Sequence, residues 1–162
     1  AAAGKFARGL ADHSDETTAL LSMCHLMLAW LRKVLWSHVH QAGSNITAER
    51  LRFDFTHPEK MTPEQIQAVE TYVNEAIQSG ITVTLENMPK DTAKSLWVEG
   101  SFWEKYPDVV KVYTMQGSDG TIYSRELCGG PHITTSQDIG TFRIIKEESS
   151  SAGVRRIKAI LE

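Results

Sequence analysis

RLRFDFTHPEKMTPEQIQAVETYVNEAIQSG, residues 50–80, changes its hydrophobic period partway along. From Arg50 to Phe55 polar and apolar residues alternate. This predicts a half-buried strand with Leu51, Phe53 and Phe55 inward and Arg52 and Asp54 outward. From Thr62 the period becomes helical. Thr62 suits an N-cap, Pro63 the first turn, and Gln65 closes a capping box. Ile66, Val69, Val73, Ala76 and Ile77 then form one apolar face, which Gly80 ends. A strand running into a capped amphipathic helix, with hairpin signals further on, predicts an α+β fold.

Working outward, Asp15 to Trp36 reads as a long helix. Leu20, Met27, Leu31 and Leu35 supply a broad buried stripe, while Leu21, His25, Leu28 and Arg32 share one side. His25 therefore stands near the boundary of a core face. Gln41 to Asn45 (QAGSN) reads as a turn. Ile81 to Leu85 predicts a short strand, Pro89 to Trp97 a brief helix, and Val109 to Met115 another strand. Gly117-Ser-Asp-Gly120 suits a hairpin turn into Thr121 to Leu127. Ile139 to Lys146 and Val154 to Leu161 are expected as closing strands, joined by a Ser-rich loop at 149–151. No internal repeat or linker divides the chain. The expectation is a flexible segment over residues 1–14 and one domain over 15–162.

The 162 residues are 41% hydrophobic and 23% charged, the balance of an ordinary globular chain. The apolar run from Leu20 to Trp36 is interrupted by Ser22, His25, Arg32 and Lys33, which argues against a membrane span. A net charge of −3 argues against strong nucleic-acid binding by the chain as a whole. Arg155 and Arg156 could meet phosphate, or could simply be a solvated strand end. Two cysteines fit a reducing cytoplasm, where Cys/His spacing points to metal or catalysis more than to a disulfide.

One such spacing stands out. In ELCGGPH, residues 126–132, Cys128 and His132 lie four apart across a pliable Gly-Gly-Pro stretch. With His25 they make a Cys/His/His set, enough for a catalytic zinc with a fourth position open. The bland alternative is a buried cysteine beside a hydrogen-bonded histidine. A thiol nucleophile is a further option, with Cys128 paired to His132 or His25. Cys24 cannot easily meet His25, because adjacent helical side chains diverge. His38 and His40 read as solvated histidines at a helix end more than as ligands, while Gln41 and Ser44 could line a pocket.

Three stretches together resemble one family: SHVHQAGSNITAERLRFDFTHPEKMTPEQIQAVETYVNEAI, then ELCGGPH, then DIGTFRIIKEESSSAGVRRIKAILE. They are similar, in order, to the editing domain of alanyl-tRNA synthetase. That domain also occurs in stand-alone alanyl-tRNA editing proteins and, more distantly, in threonyl-tRNA synthetase. The resemblance implies a two-part fold, with long helices packed on curved antiparallel sheet and a cleft between. It implies hydrolysis of the ester that joins serine or glycine wrongly to the alanine tRNA. An alanine-sized pocket cannot strongly reject a smaller or hydroxylated relative, so a second, hydrolytic site is needed.

The resemblance also implies zinc, with His25, Cys128 and His132 as ligands and Gln41 and Gly43 in the pocket. The family's further ligand, one helical turn before His25, is replaced here by Leu21. Cys24 stands where threonine is usual, and Pro131 where threonine is commoner. Trp36 and Trp103 stand where glycine is expected, and Glu99 and Ser101 where apolar residues are expected.

Two functions follow as expectations. In the first, His25, Cys128 and His132 hold zinc, Gln41 positions substrate, and the chain is a cytoplasmic deacylase acting on the acceptor end of tRNA(Ala). In the second, editing is lost with the ligand at Leu21. Leu21, Met23, Leu28, Trp36 and Trp103 then line a pocket for a small apolar ligand, with Glu99 as a candidate base. Whether the chain is an enzyme at all turns on that choice.

Overall fold

The computed structural model describes residues 15–96, 98, 103–127 and 139–162. These residues form a mixed α/β structure with two antiparallel sheets and three helices. The first helix, α1, runs from Asp15 to Leu35. A hairpin follows, β1 (Gln41–Ile46) and β2 (Leu51–Thr56), then α2 (Pro63–Gln78). The middle of the chain makes β3 (Thr82–Pro89), α3 (Lys90–Ser95), β4 (Val109–Gln116) and β5 (Ile122–Leu127). The last hairpin is β6 (Phe142–Ser151) and β7 (Val154–Leu161).

The two sheets use different parts of the chain. The four-stranded sheet has the order β1-β2-β7-β6, so the terminal hairpin closes against the first one. The three-stranded sheet, β3-β4-β5, comes wholly from the middle. On β2, Leu51, Phe53 and Phe55 are fully buried as the alternation predicts. Asp54 is the exception to its outward reading: it is 8% exposed, because Arg156 on the neighbouring β7 pairs with it.

Helix α2 begins as its sequence dictates. Thr62 accepts a hydrogen bond from the Gln65 backbone, and the Gln65 side chain accepts one from the Thr62 N–H. Its inner face buries Val69, Val73, Ala76 and Ile77. Its flank also covers an edge. Asn74 bonds both the N–H and the carbonyl of Phe142, and Glu70 accepts from the N–H of Ile144. These side chains replace the missing neighbour of β6, which would otherwise present unpaired backbone groups.

Three sequence expectations need correction. Gln41 to Asn45 is not a turn but most of β1, paired with β2 from Gln41↔Phe55 to Ile46↔Leu51. A bulge between Gln41 and Gly43 absorbs the small residues that suggested a turn. The actual reversal is Thr47 to Arg50, where the Thr47 hydroxyl accepts from the N–H groups of Glu49 and Arg50. The Ser-rich segment 149–151 is likewise strand, since Ser149 pairs with Arg155 and Ser151 with Val154; Gly153, at φ 73°, makes the turn. The strand expected at 81–85 extends to Pro89, because it pairs with β4 along its whole length.

Helix α1 is the centre of the molecule. It packs on α2, on β1 and β2, and on β5 of the other sheet. Leu20, Met23, Leu26, Met27 and Leu31 are essentially inaccessible to solvent. Thr17–Leu35 has the length and hydropathy of a membrane-crossing helix, beyond what its polar interruptions suggested. Here it is the core helix against which both sheets close.

Its end is strained. Trp36 has φ 109°, a backbone conformation that glycine adopts readily and a residue with a Cβ does not, and the residue is 73% exposed. Glycine, which the family resemblance leads one to expect there, would relieve the strain and lose little packing. Trp36→Gly is expected to raise stability by about 1 kcal/mol, measured by urea unfolding. A destabilised variant would contradict this reading of the turn.

Candidate functional site

Residue 25 lies in the middle of α1, among residues buried on nearly every side. Leu21, one turn before it, and Leu28, one turn after it, are each 9% exposed. Ser22 is fully buried, and its hydroxyl donates to the Thr18 carbonyl, as a polar group in a helix core must. Cys24 is buried too. The His25 side chain is 13% exposed, in accord with its predicted place at the boundary of the core.

Among the described residues, His25 meets Glu126, on β5. Its Oε1 contacts His25 Nδ1, and the Glu126 side chain is 7% exposed. The strand register explains how it reaches the helix. Ser124 and Glu126 are buried on one face, with Ser124 opposite Met115 of the main core. Leu127, opposite Val112, turns to the other face and packs on a smaller cluster of Met88, Ala93, Val98 and Val110. Sequence reasoning quoted Glu126 within ELCGGPH without giving it a role. A signal was there: a carboxylate at a core-facing position of a hairpin strand requires a partner.

Cys128 and His132 lie outside the described residues, as do Glu99 and Ser101. Strand β5 ends at Leu127, so Cys128 is the second residue after Glu126. Among the described residues, no three His, Cys, Asp or Glu side chains are grouped as a metal would require. The residue types still suit zinc: an imidazole whose Nδ1 meets a carboxylate, with a cysteine and a second histidine following in the chain. Leu21 adds no donor and belongs to the core.

The other candidates are placed differently. Gln41 is exposed on β1, where its amide nitrogen donates to the Ser44 hydroxyl at 3.2 Å. Its bond is to its own strand, not to His25. His38 and His57 stack with ring centroids 5.0 Å apart, and His38 Nε2 and His57 Nδ1 share a hydrogen bond of 2.8 Å. Burial, and then the neighbouring His38, lower the pKa of His57, which favours the neutral form of that ring. His40 Nδ1 lies 3.2 Å from Arg32. Met23 and Leu28 are core residues, whereas Trp36 is exposed at the far end of α1. Trp103 falls in a short 3₁₀ turn.

Arg155 and Arg156 are not a solvated strand end. Arg155 makes a two-pronged pair with Glu147 at 2.7 and 2.8 Å. Arg156 does the same with Asp54 at 2.8 and 3.0 Å. Such forked, charge-assisted pairs tie β7 to both its neighbours. Two of the donor nitrogens of each guanidinium are thereby engaged within the sheet.

The chain matches known proteins along most of its length. Residues 110–158 match the family described as the threonyl and alanyl tRNA synthetase second additional domain. The chain is 54% identical over 157 residues to an alanine–tRNA ligase of Treponema denticola and 52% identical over 157 residues to that of Treponema pallidum. It is 48% identical over 138 residues to that of Thermus thermophilus. These alignments cover 97%, 97% and 84% of this chain, but 25%, 25% and 16% of the three relatives. The chain thus spans a quarter or less of the lengths of these relatives.

The Asp54–Arg156 pair sets a pH test. The hydrogen bond from Arg156 holds the Asp54 carboxyl below its ordinary value of 3.8. The folded state therefore binds this proton less readily than the unfolded chain. The stabilisation is complete above the ordinary value and is lost as pH falls towards the depressed native one. Asp54→Asn is expected to lower stability at neutral pH and to flatten its decline in acid, measured by urea unfolding across the acidic range. An unchanged acid profile would contradict the pairing.

Proposed function

We propose, from the premise that this chain is an alanyl-type member of the threonyl and alanyl tRNA synthetase second-additional-domain family, that it hydrolyses mischarged aminoacyl-tRNA. The substrate is the ester joining serine or glycine to tRNA(Ala). The observation that carries the reading is the burial of His25 against the end of β5, the strand that leads directly into Cys128. A water-poor imidazole against a strand whose sequence continues into Cys-x-x-x-His suits a metal-assisted hydrolase more than a solvated surface role.

His25, Cys128 and His132 would hold zinc. When bound, it supplies Lewis acidity towards the ester carbonyl and makes water easier to deprotonate. The chain's own residues have separate tasks. The core around α1 restricts water around His25, which strengthens every polar contact made there. Glu126 meets the His25 ring on its Nδ1 side. Gln41 is exposed and carries an amide able to hold the polar atoms of the aminoacyl group. A cleft between the two parts of the fold, with α1 along it, would receive the acceptor end.

The ester is already labile, so three ligands suffice where the family has a further one. Arg155 and Arg156 are engaged with carboxylates, so the tRNA backbone would be held by other groups of this chain or by the rest of a longer protein.

A second reading is favoured by one observation: Leu21, at the position of the missing ligand, is part of the core. There the chain is a repurposed editing scaffold with weak or absent metal binding and a small apolar ligand. Cys128→Ala distinguishes the two. Under the hydrolase reading it reduces deacylation of Ser-tRNA(Ala) to the uncatalysed rate. Wild-type rates in the variant would contradict the hydrolase reading, as would a wild-type chain with no deacylation.

A further inference from the structure

We propose that the solvent face of the four-stranded sheet binds the sugar–phosphate backbone of RNA, through a row of cations, Arg52, Lys158 and Lys146, that crosses the sheet from strand to strand. The identity of the RNA rests on the tRNA reading above, whereas the surface itself does not depend on hydrolysis.

Register sets the row. Asn45 on β1 stands opposite Arg52 on β2, Arg52 opposite Lys158 on β7, and Lys158 opposite Lys146 on β6. One line across all four strands thus starts with an amide and continues in three cations. Their neighbours Leu51, Phe53, Ile157 and Ala159 are buried in the core, so the row points to the opposite side of the sheet. The side chains of Arg52, Lys158 and Lys146 are 33%, 36% and 57% exposed. With neighbouring strands about 4.8 Å apart, the row spans roughly 15 Å.

Like charges directly opposite one another on paired strands repel, and the sheet offsets this only in part. Glu148 is shared, 3.3 Å from Lys146 and 3.6 Å from Lys158. Asp54 gives both carboxylate oxygens to Arg156 and lies 4.0 Å from Arg52. Arg52 Nε has no hydrogen-bond partner among the described residues. On this face Arg52, Lys146, Arg156 and Lys158 therefore share only Asp54 and Glu148. The surplus is positive, on a chain whose net charge is −3.

The chemistry of the face selects the partner. The core of a protein–protein interface is depleted of charge, whereas here charge fills the middle strands. A phosphate backbone asks for the reverse, cations and hydrogen-bond donors without an apolar anchor. The lysines act as point charges, Arg52 adds planar donors, and the Asn45 amide adds a neutral one. Strand β1 is the outer strand of the sheet and carries both Asn45 and Gln41. RNA laid along the row therefore leaves the sheet over the strand to which the hydrolase reading gives the substrate.

Binding of uncharged tRNA(Ala) to the full 162-residue chain, measured by fluorescence anisotropy across a range of monovalent salt, tests the surface without any chemistry. The wild-type log affinity is expected to fall linearly with log salt. Lys158→Ala is expected to reduce the steepness by about 1, and Lys146→Ala together with Lys158→Ala by about 2. Lys60→Ala, at an exposed lysine outside the four strands, is expected to leave it unchanged. With Ser-tRNA(Ala) as substrate, the double variant is expected to raise KM and leave kcat as it is.

A wild type that binds no tRNA at low salt overturns the proposal and needs no variant to fold. So does a double variant with the wild-type slope. A Lys60→Ala variant that loses as much as Lys158→Ala overturns it as well, since charge then acts without regard to place. A polyglutamate peptide that competes as well as unlabelled tRNA at equal charge overturns the RNA assignment in favour of an acidic polypeptide. A chain that binds tRNA through these lysines but deacylates nothing supports the surface and sinks the hydrolase reading. Deacylation with an unchanged KM in the double variant does the opposite.

Discussion

The structure depends on the burial of one helix from nearly all sides. Helix α1 meets α2 and the four-stranded sheet, and it also meets β5 of the three-stranded sheet. Fully burying a large apolar side chain contributes about 1.5–3 kcal/mol, so Leu20, Met23, Leu26, Met27 and Leu31 dominate the core that both sheets share. This constraint reaches the chemistry. A helix so enclosed tolerates a polar side chain only where a partner comes to it. Ser22 turns to its own backbone, and His25 meets a carboxylate delivered by a strand from another sheet.

The same economy governs the surrounding charges. Sheet order β1-β2-β7-β6 joins segments about a hundred residues apart, and Asp54–Arg156 crosses that junction. Glu147–Arg155 crosses the next one, and α2 seals the outer edge of β6 through Asn74 and Glu70. Arg155 and Arg156, which the sequence offers to phosphate, thus each make a forked pair that helps close the sheet. A role on tRNA would then depend less on these two arginines than on a small reactive site around His25, with the nucleic acid held in part elsewhere.

Much of this was legible in the sequence where one physical signal acted alone. The capping box at Thr62, the alternation of Leu51, Phe53 and Phe55, and the Gly117–Gly120 turn are local rules, and each appears where it was expected. The misreadings share a cause. Gln41-Ala-Gly-Ser-Asn and Ser149-Ser-Ser have turn-like composition, yet strand pairing with distant partners overrides it, with bulges taking up the irregularity. Arg156 and Asp54 lie 102 positions apart, so no local pattern could reveal their pair. The resemblance pointed to His25 and to the loss of a donor at Leu21. It did not reveal Glu126, whose meaning appears only when β5 is laid against α1.

That packing makes the metal question decisive for the account. The central claim is that a site short of one family ligand still assembles around His25. The direct measurement is elemental analysis of zinc per chain, on protein purified without chelator or histidine tag, beside a His25→Ala variant. The account predicts one zinc per wild-type chain and loss of that zinc in the variant. A wild-type chain that holds no zinc, even after incubation with it, would contradict the claim and leave the fold as a scaffold turned to another use.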